Sequence, residues 1–189
     1  MPYEPPADLA AMSLADLAEA VAARRLPAVE TWNPAHIGES HMRIAADGTW
    51  FHEGGRITRP AMVRAFASLL TRDAEGRHWL VTPAEKLAIA VDDAAFIATD
   101  MEVRRDADGS PVIAFRLNTD DLVLAGTDHP LRAAGTAETP AFYLAVRHGT
   151  EARLNRSTYG QLIDHALTMS KPEALAVESL GSRFGLLPA

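Results

Sequence analysis

Arg56-Ile57-Thr58-Arg59 and Arg153-Leu154-Asn155-Arg156 each place two guanidinium groups three residues apart, directly before a predicted helix. Free backbone N–H groups and the helix dipole already favour anions at such a place. Guanidinium adds a two-pronged grip on carboxylate or phosphate. The four arginines therefore spell an anion site, against the plainer alternative that each pairs with one of the chain's surplus surface carboxylates. A second polar group is Arg116 and Asn118 on an expected strand, with His129-Pro130-Leu131-Arg132 in the long loop that follows. Loops carry function disproportionately, and imidazole at 129 offers an acid, a base or a ligand anchor. The competing reading is a rigid proline turn on which the histidine packs.

Other constellations carry less. Asp92-Asp93 and Asp120-Asp121 have the oxygens for a hard cation, but neighbours on a strand point to opposite faces, so turn-forming aspartates are the better expectation. Glu85-Lys86 reads as a solvated ion pair rather than an acid–base pair. His41, Arg43, Trp50 and His52 fall on one face of an expected hairpin, where Trp50 is expected at the edge of the core. The sequence has seven histidines but no HExxH and no i,i+4 histidine pair, no P-loop, no dinucleotide fingerprint and no Gly-x-Ser-x-Gly. Without cysteine it has no thiolate for metal or catalysis. No catalytic residue, metal ligand set or cofactor is read from it.

These residues sit in a chain of ordinary globular composition, 189 residues with 48% apolar and 23% charged side chains. Its length lets it bury about 70% of its unfolded surface. A net charge of −7 argues against nucleic acid as a partner. No apolar run approaches the roughly 18 residues of a membrane span, and Met1-Pro2-Tyr3-Glu4-Pro5-Pro6 is not a signal peptide. The expected location is the cytoplasm.

Ser13 and Asp16 open a predicted helix that stops near Arg24-Arg25, before Pro27. An irregular crossing segment follows to residue 40. Asp47-Gly48 predicts a two-residue hairpin turn with Arg43 opposite His52 and Ala45 opposite Trp50. Thr58 is the expected cap of a helix reaching about Leu70, with Pro60 in its first turn. Strands are expected at His78–Thr82, Leu87–Val91, Ala95–Val103, Val112–Leu117, Leu122–Ala125, Phe142–Arg147 and Ala152–Leu154, with a loop over Gly126–Pro140. Asn155 caps a helix to about Met169, and Ser170-Lys171-Pro172-Glu173 opens another that ends at Gly181.

The two arginine motifs stand 97 residues apart, each ending a hairpin and preceding a helix, which reads as a repeated unit whose halves share one core. A second echo pairs Val91-Asp92-Asp93 with Thr119-Asp120-Asp121. The run Asp47 to Arg59, the Met62–Phe66 helix, Trp79 to Lys86, Val91 to Phe96 and His129 to Arg132 resemble a bacterial family catalogued as domain of unknown function 1285. The resemblance spans roughly residues 30 to 165. It implies a β-rich α+β fold with repeated hairpin-plus-helix motifs and a ligand-sensing or signalling role, and it supplies no catalytic residues.

The resulting expectation is an α+β chain, β-rich, of antiparallel hairpins with helices at its N- and C-terminal ends. Residues 1–40 form a helix and crossing segment, 41–170 a core with related units at about 41–72 and 139–169, and 171–189 a helix and tail. The expected function is a sensor or small-molecule-binding module for an anionic ligand, held by Arg56, Arg59, Arg116, Asn118, His129, Arg132, Arg153 and Arg156. Two alternatives stay open. One is an enzyme on an anionic metabolite with His129 or His52 as acid or base. The other is an adaptor that binds a protein partner, with a homodimer through the C-terminal stripe Leu175, Val177 and Leu180.

Overall fold

Short apolar runs broken by Asp, Gly and Pro dictate strands and tight turns, and strands dominate the computed structural model, which describes residues 13, 15, 19, 26–136, 138–169 and 174–187. The helix expected after Ser13 and the helix start expected at residues 170–173 lie almost wholly outside the described residues.

The first sheet contains β1 (His36–Ile44), β2 (Trp50–His52), β3 (Gly55–Arg56), β4 (Leu70–Arg72), β5 (His78–Val81) and β6 (Glu85–Val91) in the order β3-β2-β1-β6-β5-β4. The second contains β7 (Phe96–Arg105), β8 (Pro111–Leu117), β9 (Leu122–Leu124), β10 (Leu131–Gly135), β11 (Pro140–Ala145) and β12 (Glu151–Leu154) in the order β10-β11-β12-β7-β8-β9. Renumbered from its own start, the second sheet has the order of the first. In both, the first and last strands pair in parallel at the centre, β1 with β6 and β7 with β12, and every other pairing is antiparallel. The sheets are therefore mixed, where purely antiparallel hairpins were expected. One six-strand plan occurs twice.

Helix α1 (Pro60–Ala67) joins β3 to β4, and α2 (Arg156–Met169) follows β12. The chain closes with the hairpin β13 (Ala176–Ser179) and β14 (Ser182–Gly185). This corrects the expected C-terminal helix. Leu180 and Gly181 both take positive φ, 48° and 73°, as a two-residue hairpin turn requires. The buried Ser179 hydroxyl donates to the Ala125 carbonyl at 2.6 Å and accepts from the Ile113 N–H at 2.8 Å, stitching the hairpin to the second sheet. Val177 lies on β13, Leu175 just before it and Leu180 in the turn after it, so the three form no helical stripe.

Three further expectations change. The loop expected over residues 126–140 contains β10, an edge strand paired to β11. Residues Leu70–Arg72 form β4, so α1 ends at Ala67, and Arg59, not Thr58, is its N-cap residue. The Asp47-Gly48 turn is one residue longer than expected: Ala45 pairs with Thr49 around Ala46, Asp47 and Gly48, and Gly48 takes φ +82°. Ile44 then faces Trp50, Met42 faces His52, and Arg43 faces Phe51 on the opposite side. A one-residue slip reverses every side chain's face, so Trp50 goes into the core at 1% exposure while Arg43 points away from it.

The 97-residue offset joins unlike positions. Arg56 ends the edge strand β3, whereas Arg153 lies on β12 at the sheet centre. The duplicated plan has a different spacing: its first strands begin 60 residues apart, at His36 and Phe96. The halves do share one core. Ile44, Trp50, Leu70 and Leu80 of the first sheet join Phe96, Phe115, Phe142 and Leu154 of the second in a single buried cluster. Among the described residues no helix is long and apolar enough to cross a membrane.

Candidate functional site

The β1–β2 turn is pressed against the second sheet. A Cβ on Gly48 would lie 2.7 Å from Asn118 Nδ2 and 2.8 Å from Ile97 Cγ1, so only glycine permits this approach. Asn118 is itself locked: its N–H donates to the Ile97 carbonyl at 2.8 Å, and its Oδ1 accepts from the Ile97 N–H at 3.0 Å. Two hollows flank this contact. The larger, about 740 Å³, is lined by Arg153, Arg156, Asn118, Tyr159 and Glu138 over an apolar floor of Ile97, Pro140, Ala141 and Leu154. The smaller, about 290 Å³, is lined by Arg56, Arg64, Asp120, Thr49, Thr58 and Trp50. Asp47 and Asn118 line both.

Four of the eight sequence-chosen residues thus gather around one seam: Arg56, Asn118, Arg153 and Arg156. Asn155 caps α2 as expected, its Oδ1 accepting the Thr158 N–H at 2.8 Å, which brings Arg156 to the hollow at the helix start. Arg156 is exposed and makes no hydrogen bond or ion pair among the described residues. Arg56 is likewise exposed and unpaired there. Its charge helps hold the Asp47 carboxyl below the usual range, an effect due first to the Thr49 N–H. Arg153 is tied to Asp93 at 2.5 Å, and this hydrogen bond raises its pKa.

The other four go elsewhere. Arg59 is exposed at the start of α1 and lines neither hollow. Arg116 lies half-buried on β8 opposite Asp100. His129 adopts the rigid-turn reading: its Nδ1 is 3.1 Å from the Ala145 carbonyl, its own carbonyl accepts from Gly126, and that of Pro130 accepts from Ala145. Arg132 is forked on Glu151, Nε to Oε1 at 3.0 Å and Nη2 to Oε2 at 3.1 Å, and stacks 4.6 Å from the Tyr143 ring centre.

Arg132, Tyr143 and Arg153 are cross-strand partners on β10, β11 and β12. The Tyr143 hydroxyl donates to Asp93 at 2.7 Å, and Asp93 also takes Arg153. Sequence reasoning missed this row because strand register decides it. The aspartates lie in the connections between strands, not on strands: Asp92 pairs with Arg43 on β1 while Asp93 turns to the second sheet. Asp120 and Asp121 divide similarly, toward Arg64 and Arg147. Glu85 and Lys86 also separate, the lysine stacking 4.5 Å from the Trp79 ring centre. Among the described residues no three His, Asp or Glu side chains converge as a metal site would need. The seam sets the guanidinium groups of Arg56, Arg153 and Arg156 and the Asn118 amide beside the carboxylates of Asp47, Asp120 and Glu138, with an apolar floor in the larger hollow.

Two family models match the chain: the N-terminal domain of the domain of unknown function DUF1285 over residues 27–94, and the C-terminal domain of that protein of unknown function over residues 95–186. The chain belongs to the DUF1285 family. A crystal structure of a DUF1285 protein from Silicibacter pomeroyi DSS-3 is 40% identical, with a TM-score of 0.78 over 95% of this chain and 97% of that one. A DUF1285 protein from Shewanella baltica OS155, 23% identical, shares the fold at a TM-score of 0.53 over 65% of this chain and 90% of its own. No curated protein matches the chain. The family boundary at 94/95 coincides with the passage from the first sheet to the second, so both hollows lie where the two family domains meet.

Proposed function

We propose that this chain is a cytoplasmic ligand-binding module of bacterial regulation, taking a small anionic molecule in the seam between its two sheets. The observation that carries the reading is that Arg153 and Arg156 line one hollow and Arg56 the other, on either side of the wall that Asp47 and Asn118 share. The larger hollow falls within the usual ligand-site range of roughly 300–1,000 Å³. Its apolar floor suits the body of a metabolite, and its arginines suit a carboxylate or phosphate. A ligand that touches both halves binds only the folded chain and so stabilises it.

The test is a thermal-shift screen of anionic metabolites and nucleotides. A ligand at 100 times its dissociation constant adds about 2.7 kcal/mol, which raises the midpoint by roughly 5–10 °C for a chain this long. Arg156→Ala should lose the shift, whereas Arg132→Ala, whose guanidinium is committed to Glu151, should keep it. A flat screen, or a shift unchanged by the Arg156 variant, would sink the reading and favour a protein adaptor.

A further inference from the structure

The two copies of the six-strand plan are not covered alike. The second carries the 14-residue α2 and the β13–β14 hairpin, which bury Leu162, Ala166, Val177 and Phe184. The first carries α1, of eight residues, of which only Ala67 is fully buried. Beneath α1 an apolar hollow of about 430 Å³ stays open between Phe66, Leu69, Leu80, Leu87, Met42 and Met62. Four polar residues also line it. The Ser40 hydroxyl is spent, donating to Ala88 and accepting from Met42, and that of Thr82 is spent on its own turn. His52 and Glu85 keep side chains with no hydrogen bond or ion pair among the described residues.

We infer that this hollow is a second ligand site, separate from the anion seam, for a small amphiphile with an aliphatic body and an amino head. The volume and lining fit a small-molecule pocket. The paired methionines supply an adaptable apolar wall. The head follows from charge: the unpaired Glu85 carboxylate attracts an ammonium and repels a carboxylate.

Octylamine and octanoate share one chain length and differ in the head, so titrating both into protein carrying ¹³C-methyl methionine separates body from head. Octylamine should move the Met42 and Met62 methyl signals saturably, and octanoate at the same concentration should not. Glu85→Gln should weaken octylamine roughly tenfold or more. Arg156→Ala should leave the titration unchanged, which keeps this site's failure distinct from that of the seam. Equal response to octanoate, unmoved Met42 and Met62 signals, or full binding by Glu85→Gln would each overturn the proposal.

Discussion

Arg147 shows how much one side chain can join. Its guanidinium is 11% exposed, 3.1 Å from the 3%-exposed Asp121, 3.2 Å from the Ala67 carbonyl at the end of α1, and 4.8 Å from the Phe96 ring centre. Burial lowers its pKa to about 10, so it is charged at neutral pH. A cation at a helix C-terminus is favourable, and this one comes from the opposite sheet. Arg147→Met should cost about 3–5 kcal/mol in urea unfolding, because it removes the ion partner of a buried carboxylate. Arg147→Lys should cost less, and Arg147→Met with Asp121→Leu should regain much of the loss. Histidines at 78 and 165 add a pH effect. Burial lowers both pKa values, with Arg72 and Arg105 contributing. The unfolded chain then takes up protons first as pH falls below about 6.5. Their contribution is neutral above that pH and becomes destabilising below it. Chemical denaturation between pH 7 and 5 should show this fall, and His78→Gln should reduce it.

Among elements, the β1–β2 turn positions the seam. Gly48→Ala puts a methyl group 2.7–2.8 Å from Asn118 and Ile97 at φ +82°. Gly109 has φ +80° and nothing within 4 Å of its would-be Cβ, so Gly109→Ala should cost only the left-handed strain, about 1–2 kcal/mol. Gly48→Ala should exceed it by about 1–3 kcal/mol for overpacking and should also weaken ligand binding at the seam. Equal midpoints for the two variants would mean that the turn does not press on Asn118. The same turn marks where sequence reading stops. Asp47-Gly48 announces a hairpin, but two- and three-residue loops share those residues, and only tertiary fit chooses between them. Strands such as Leu87–Val91 were legible because apolar runs ended in Asp pairs. β10 and β4 were not: both are short edge strands, Leu131–Gly135 and Leu70–Arg72, whose partners rather than their patterns define them. At the seam, arginines before helices were visible as candidates. Their convergence, and the commitment of Arg132 to Glu151, depended on register.

For the whole molecule, the question is whether two family domains mean two folding units. Boundaries between independent domains usually fall in exposed linkers. Here Ala94, Ala95 and Phe96 are 3%, 1% and 0% exposed, and Asp92 and Asp93 just before them bond to Arg43 of the first sheet and Arg153 of the second. The apolar cluster runs across this boundary, and Arg147 crosses it again to reach Ala67. Each half alone would expose its share of that cluster to water. At roughly 25 cal/mol per Å² of apolar surface, a few hundred Å² is enough to cancel the few kcal/mol of net stability that so short a fragment commands. Fragments 26–94 and 95–187 should therefore each give collapsed, poorly dispersed amide spectra, and mixing them should restore the dispersion of the intact chain. Sharp, dispersed spectra from either fragment alone would show that the duplicated plan folds without its partner. The seam would then be a contact between finished domains rather than part of one core.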